Sequence, residues 1–284
     1  MPETQGISAS RSDWTPPTGT LGMLVEDTYA RILAEQDSEI EWQRRADRMP
    51  SPRSFAAALA GDGSAVAVIA EVKRRSPSKG SINANINAPS RAVGYVTAGA
   101  AAVSVLTEPD WFAGSAQDLS DVAAAVDVPV LRKDFIVTPI QLYEARGRGA
   151  AAALLIVRAL SPGHLAQLHD IGSCAGLDLL VEVRDERELS IAIDIGAKII
   201  GVNNRDLETL EIHPDTIERL IPLIPRGIIA VAESGMSVRG DIERAARFGA
   251  DAVLVGSAVS AAEDPIAAVR ALVGVSGERD VRRS

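Results

Sequence analysis

The sequence predicts an α/β protein, a single (β/α)8 TIM barrel with additional N-terminal helices. Three observations carry this expectation. A Gly-Ala dipeptide precedes a short apolar run at Gly99, Gly149, Gly196 and Gly249, a recurrence of about 50 residues that is too long for one strand–helix unit and right for two. Between these runs lie the apolar segments "VPVLRKDF", "LDLLVEV" and "GIIAVAES", which with "AVIAEVK" bring the strand candidates to eight. Each is nearly continuous in Val, Ile, Leu and Ala, as strands buried on both faces are, and amphipathic segments such as "PIQLYEARGR" and "RGDIERAARF" follow them. An open doubly wound sheet would carry a Gly-rich fingerprint after its first strand, and none is present.

Taken in order, the polar stretch from Met1 to about residue 20, which closes in Thr-Pro-Pro, reads as a disordered tail. Residues 21–284 read as the barrel domain, with a helical extension over about 21–60. From Leu24 toward Met49 the apolar residues Leu24, Val25, Tyr29, Ile32 and Leu33 recur at helical spacing with charges between them. "SPRSFAAALA" starts a second short helix, with Ser51 as its N-cap and Pro52 at its first position. These segments would sit on the barrel as a lid or a plug. The strands and helices then alternate from Val66 onward, and the Gly of each Gly-Ala stops a helix before the next strand.

Composition bounds the function. Of 284 residues, 46% are hydrophobic and only 4% aromatic, so the core is built from Ala, Val, Ile and Leu. A formal charge of −9 argues against a nucleic-acid or anionic-membrane partner, both of which it would repel. The single cysteine, Cys174, excludes an internal disulfide and, placed in "IGSCAGLD" between a helix and a strand, reads as a packing residue. His164, His169 and His213 are scattered without Cys or His partners, so no metal site is expected. No apolar run approaches the roughly 20 residues that span a bilayer. The N-terminus has no signal-peptide pattern, and the expected location is cytoplasmic.

In a barrel of this kind the chemistry lies at the C-terminal ends of the strands. The first strand ends in Glu71-x-Lys73, two residues that share a face because side chains alternate along a strand. The third ends at Lys133, the fifth at Glu182, and the sixth at Asn203 and Arg205. The seventh ends in Glu233, Ser234 and Gly235, and the eighth in Gly256 and Ser257. The second and fourth, "VLTEPDWF" and "LIVRAL", offer less to a reaction. Ammonium and carboxylate groups converging on one mouth shift one another's pKa values, which is what acid–base catalysis near neutral pH requires. The small-residue loops "ESGM" and "VGSA" provide backbone N–H groups for an anion, in the usual phosphate position of the fold, so the expected partner is a phosphorylated small molecule.

At these residues the sequence resembles the indole-3-glycerol-phosphate synthase family. "IAEVKRRSPSKG", "SVLTEPDWFAGS", "VLRKDFIV", "LLVEV", "IGVNNRDLETLEI", "IAVAESG" and "DAVLVGSAV" match its motifs in order, over roughly Leu24 to Leu272. The resemblance implies a lyase of tryptophan biosynthesis that needs no cofactor. It would convert 1-(2-carboxyphenylamino)-1-deoxyribulose 5-phosphate to indole-3-glycerol phosphate, CO2 and water. It implies Lys133 as the general acid at the ketone oxygen, Glu182 as stabiliser of the charge on the anilino nitrogen, and Lys73 with Glu71 as acid and base of the dehydration. How the two lysines and two glutamates share these tasks stays open. Asn203 and Ser234 would contact the sugar-derived chain, and Arg205 and Ser76 the carboxylate or the phosphate. Gly235, Gly256 and Ser257 would hold the phosphate with Lys73 nearby, and Glu233 would steady Lys73 or Asn203. Trp111, Phe112, Leu131 and Phe135 would flank the anthranilate ring or pack in the core. Arg184 stands where relatives often have His, and Ala151 where many have Asp; neither is a catalytic position. The sister isomerase, phosphoribosylanthranilate isomerase, is set aside because it has a Cys at the end of its first strand. A non-catalytic phosphosugar-binding barrel is the alternative. The chain would act as a monomer or a homodimer.

Overall fold

The computed structural model describes residues 15–35, 37–277 and 282. The eight barrel strands are β1 (Ala67–Val72), β2 (Ala102–Leu106), β3 (Val130–Lys133), β4 (Ala152–Ile156), β5 (Asp178–Val183), β6 (Ile199–Asn203), β7 (Ile229–Glu233) and β8 (Ala252–Val255). Every neighbouring pair is parallel, and β1 pairs with both β2 and β8, so the sheet closes. All eight coincide with the apolar runs read from the sequence. Residues such as Val103, Leu131, Val181 and Ile200 are wholly buried, because a closed parallel sheet is covered by side chains within and helices without.

The extension is divided differently from the sequence expectation. Instead of one helical stretch to Met49 there are α1 (Gly19–Glu35) and α2 (Glu39–Asp47), and the chain restarts where the Ser38 hydroxyl accepts the Glu41 N–H at 3.3 Å. The next helix, α3, covers Phe55–Ala60 and its N-cap is Ser54, not Ser51. The reason is tertiary: Ser54 caps Ala57 N–H at 3.0 Å while Asp178, at the foot of β5, accepts from both Ser54 Oγ and Ala56 N–H. Phe55 and Leu59 are wholly buried, and α3 touches β1, β2 and β7, so it plugs the bottom of the barrel.

The lid is α1, held over the opposite mouth by contacts with four loops. Trp111 Nε1 donates to Asp27 at 3.0 Å, Tyr29 donates to the Val137 carbonyl at 3.3 Å, and Thr20 N–H donates to the Glu208 carbonyl at 3.0 Å. The Glu208 carboxylate accepts Thr18 N–H and Thr18 Oγ at 2.6 and 2.8 Å and pairs with Arg158 at 2.9 Å, while Arg158 also donates to the Thr15 carbonyl at 2.7 Å. The expected tail therefore ends sooner than residue 20: from Thr15 the chain is clasped to the loops after β4 and β6. Residues 1–14 lie outside the described residues. Cys174 also departs from expectation. It is exposed at the end of α4 (Pro162–Cys174), where the helix turns its last residue toward solvent rather than onto the sheet. Among the described residues, no helix is long and apolar enough to cross a membrane.

Gly19 is where lid and loop come closest. Its φ is +57°, a region that costs other residues about 1 kcal/mol or more, and a Cβ there would overlap the Glu208 carbonyl. Gly19→Ala is expected to displace α1 and to lower the melting temperature by about 2–4 °C or more, since each kcal/mol is worth that much in a chain of this size. An unchanged melting curve would show that the lid is not anchored at this point.

Candidate active site

The interior of an eight-stranded barrel fills in layers of four side chains taken from alternate strands. Here the layer at the C-terminal mouth comes from the odd-numbered strands: Glu71 of β1, Lys133 of β3, Glu182 of β5 and Glu233 of β7. All three carboxylates are nearly inaccessible, at 2–3%. Lys133 Nζ stands 3.4 Å from Glu182 and 3.5 Å from Glu233. Lys73, one residue beyond β1, turns back to pair with Glu71 at 2.5 Å. Asn203 at the end of β6 donates to the other oxygen of Glu182 at 2.8 Å, and Ser104 of β2 donates to Glu71 at 3.3 Å.

Two glycines make room for these groups. A Cβ on Gly201 would overlap Glu233 Oε1, and one on Gly256 would overlap Glu71 Oε1. On β3 the residues flanking Lys133 point outward and are locked. Arg132 pairs with Asp134 at 2.9 Å and Glu144 at 2.7 Å, and Thr107 donates to Asp134 at 2.6 Å. This buried ionic cluster fixes the strand end that aims Lys133 inward.

The electrostatics follow from burial set against charge. Burial alone would raise Glu71, but the ammonium groups of Lys73 and Lys133, with hydrogen bonds from Lys73 and Ser104, hold its carboxyl below the usual range. Burial would lower Lys133, yet Glu182, Glu233 and Glu71 surround it and raise it above an ordinary lysine. Glu233 goes the other way. Burial, reinforced by the nearby Glu182 and Glu71 charges, pushes it up to about 8 against the pull of Lys133. At neutral pH the layer therefore holds a charged lysine, an ionised Glu71 and a protonated Glu233.

These groups border a cavity of about 260 Å³ under α1. Leu24 of the lid lines it, as do Phe112 and Phe135, whose rings lie 6.1 Å apart at 40°. Ser76, in a small hairpin formed by Arg75–Ser76 and Gly80–Ser81, lies on its rim with Lys79. Arg205 also lines it; its N–H donates to Asn203 and its guanidinium to the Leu210 carbonyl at 2.7 Å. Ser234, Gly235, Gly256 and Ser257 form the side next to Lys73. Ser234 holds a left-handed φ of +61°, unusual for a residue with a side chain, and Asn204 steadies it by donating to its carbonyl at 3.0 Å.

Most site residues named from the sequence meet at this cavity, with three qualifications. Glu182 does not line it; it reaches it through Lys133 and Asn203 and lines a narrow neighbouring cavity of about 20 Å³. Leu131 is wholly buried, two residues below Lys133 on the same face, and belongs to the core. Trp111 serves the lid through Asp27. Sequence reasoning passed over Glu108, although "TEP" directly follows β2. Glu108 lines the cavity and accepts the N–H groups of Asp110, Trp111 and Phe112 at 2.7–3.0 Å, and burial raises its pKa. A carboxylate just before Pro at a strand end was the available signal. Arg184 pairs with Asp206 at 2.6 Å and joins the loops after β5 and β6, while Ala151 is buried packing at the foot of β4.

A closed parallel barrel with lysine–carboxylate pairs crowded at its C-terminal mouth defines a (β/α)8-barrel enzyme equipped for acid–base chemistry. The family model for indole-3-glycerol phosphate synthase matches residues 24–272. The chain belongs to that family, whose enzymes serve tryptophan biosynthesis. It is 47% identical over 253 residues to the indole-3-glycerol phosphate synthase of Streptomyces griseus, covering 88% of this chain and 93% of the relative. It is 44% identical to that of Chlorobium phaeovibrioides, covering 86% and 95%. Among solved structures, 3-hexulose-6-phosphate synthase from Salmonella typhimurium superposes with a TM-score of 0.60 at 15% identity, covering 73% of this chain and 96% of that one, a likeness of fold alone.

The raised pKa of Glu233 carries a sign that can be tested. Its folded value, about 8, exceeds its ordinary 4.5, so the stability it contributes is full below pH 4.5 and is lost as pH rises through 8. Glu233→Gln, which cannot ionise, should match the parent in acid and become progressively more stable than it between these limits. Melting curves taken across pH check this. A parallel pH dependence for both proteins would mean that Glu233 folds as a carboxylate.

Proposed function

We propose that the chain closes the pyrrole ring of 1-(2-carboxyphenylamino)-1-deoxyribulose 5-phosphate, releasing CO2 and water to form indole-3-glycerol phosphate, and so acts as a carboxy-lyase. One observation carries the reading: Lys73, Glu71, Lys133, Glu182 and Glu233 are crowded at the mouth of one barrel, beside loops of small residues that can take a phosphate. The family membership supports it.

In this reading Gly235, Gly256 and Ser257 present backbone N–H groups to the phosphate, with Lys73 adding charge. The aromatic ring lies against Phe112 and Phe135, and Arg205 with Ser76 receives the remaining anionic group. Asn203 and Ser234 hold the sugar-derived chain. The carboxyl-bearing ring carbon then attacks the ketone. Lys133, kept charged by its carboxylate neighbours, protonates the ketone oxygen as the new carbon–carbon bond forms. Positive charge develops on the anilino nitrogen, and Glu182, oriented by Asn203, offsets it. Loss of CO2 restores the aromatic ring. The hydroxyl left at the former ketone carbon departs as water, protonated by Lys73, while Glu71 takes the proton released as the double bond forms. Glu71 suits a base because Lys73 and Lys133 keep it ionised.

Lys133→Ala is expected to lower kcat by about 10²–10⁴-fold, the usual value of a general acid, with circular dichroism unchanged. The appearance of indole fluorescence under substrate saturation measures it. If the parent binds the ribulose phosphate without forming product, the protein is a binding barrel rather than an enzyme. If Lys133→Ala turns over normally, the lysine has been given the wrong task.

A further inference from the structure

Ser260 has no role in the chemistry above, yet it is wholly buried beside it. It lies on α5 (Ser257–Ala261), the short helix that begins at the proposed phosphate loop, and its N–H donates to the Gly256 carbonyl at 2.9 Å. Its hydroxyl donates to the Glu71 carbonyl at 2.9 Å and accepts the Lys73 N–H at 3.2 Å. Because its only proton is spent on Glu71, the 3.4 Å contact with Tyr95 has the tyrosine as donor. Arg91 donates to the Ser260 carbonyl at 3.3 Å.

The pairing of β1 with β8 shows why this hydroxyl matters. That pairing ends at Ala70 opposite Val255, because the chain after Val255 turns into α5. Beyond that point the Glu71 carbonyl and the Lys73 N–H face a missing strand. A parallel neighbour would bracket Val72 by accepting from residue 73 and donating to residue 71. Ser260 Oγ makes both bonds with a single atom and so extends the ladder by one rung.

We propose that Ser260 is a positioning residue for the Glu71–Lys73 pair, its hydroxyl standing in for the missing strand and tying the backbone of both residues to the helix that starts at Gly256 and Ser257. The inference rests on the function proposed above. It adds that the loop at Gly256 and Ser257 and the acid–base pair form one mechanical unit, joined through Ser260.

Ser260→Ala tests it. The substitution suits a short helix and leaves Gly235, Gly256 and Ser257 intact, so inorganic phosphate should still bind by calorimetry, with its affinity lowered only by what the loosened Lys73 contributed. The kcat should fall about tenfold or more, since small misplacements of catalytic groups are that costly. The acid limb of the kcat profile should move to higher pH. A loosened Lys73 holds the Glu71 carboxyl down less well, whereas Lys133, Glu233 and Ser104, which also face Glu71, are untouched, and Tyr95 loses its hydrogen bond to Ser260. Amide hydrogen exchange provides a readout independent of turnover: the Lys73 N–H should lose protection in Ser260→Ala. Unchanged exchange at Lys73 overturns the inference whether or not the parent is active. An active parent with a variant of equal kcat and pH profile overturns it too and leaves the proposed function standing. A parent that forms no product refutes the function alone, because the exchange result still decides whether Ser260 holds the segment.

Discussion

Burying three carboxylates in one layer of side chains is the constraint on which the rest of this structure depends. Glu71, Glu182 and Glu233 are all but inaccessible, and an unpaired charge so placed would cost several kcal/mol. Two lysines answer them, one inside the layer and one reaching back from beyond the strand. That leaves one carboxylate in excess, and the excess is removed by the proton that Glu233 keeps near neutral pH. The same arithmetic sets the reactivity. The carboxylate nearest Lys73 stays ionised, the lysine at the centre stays charged, and the remaining acid stays neutral, so three chemically distinct groups arise from ordinary Glu and Lys side chains.

Much of the surrounding architecture reads as support for that layer. Gly201 and Gly256 leave the volume that the Glu233 and Glu71 heads occupy. The outward cluster of Arg132, Asp134 and Glu144 holds the end of β3. The cavity that the layer borders lies under α1, and α1 stays in place because Glu208 gathers Thr18, Thr20 and Arg158 at one corner of the mouth. Exclusion of water strengthens each electrostatic contact beneath the lid.

The strands and the charged groups at the mouth were legible in the sequence because the barrel imposes a simple rule: apolar runs make the wall, and the residues that end them face the mouth. Glu71, Lys133, Asn203 and Glu233 obey it directly. What escaped the rule depends on contacts between segments distant in sequence. Ser51 and Ser54 are equally good caps on local grounds, and only Asp178, more than a hundred residues away, selects Ser54. Thr15 to Thr18 read as tail because no neighbour in sequence hints at Arg158 or Glu208. Leu131 and Phe135 look alike as apolar neighbours of Lys133, but one lies below the mouth and the other above it. Ser260 is one small residue in an Ala-rich turn, and its partners become visible only when β8 is seen to end short of β1.

The shared wall at Gly256 limits how this barrel can be repurposed. A designer wishing to accept a substrate without a phosphate would naturally fill the proposed phosphate cradle by enlarging residue 256. Any side chain there strikes the Glu71 carboxylate and crowds Lys73, so the anchor and the reactive pair cannot be altered separately. New specificity has to be sought at the loops after β1, β2 and β3, around Ser76, Phe112 and Phe135, which line the cavity without themselves belonging to the paired charges.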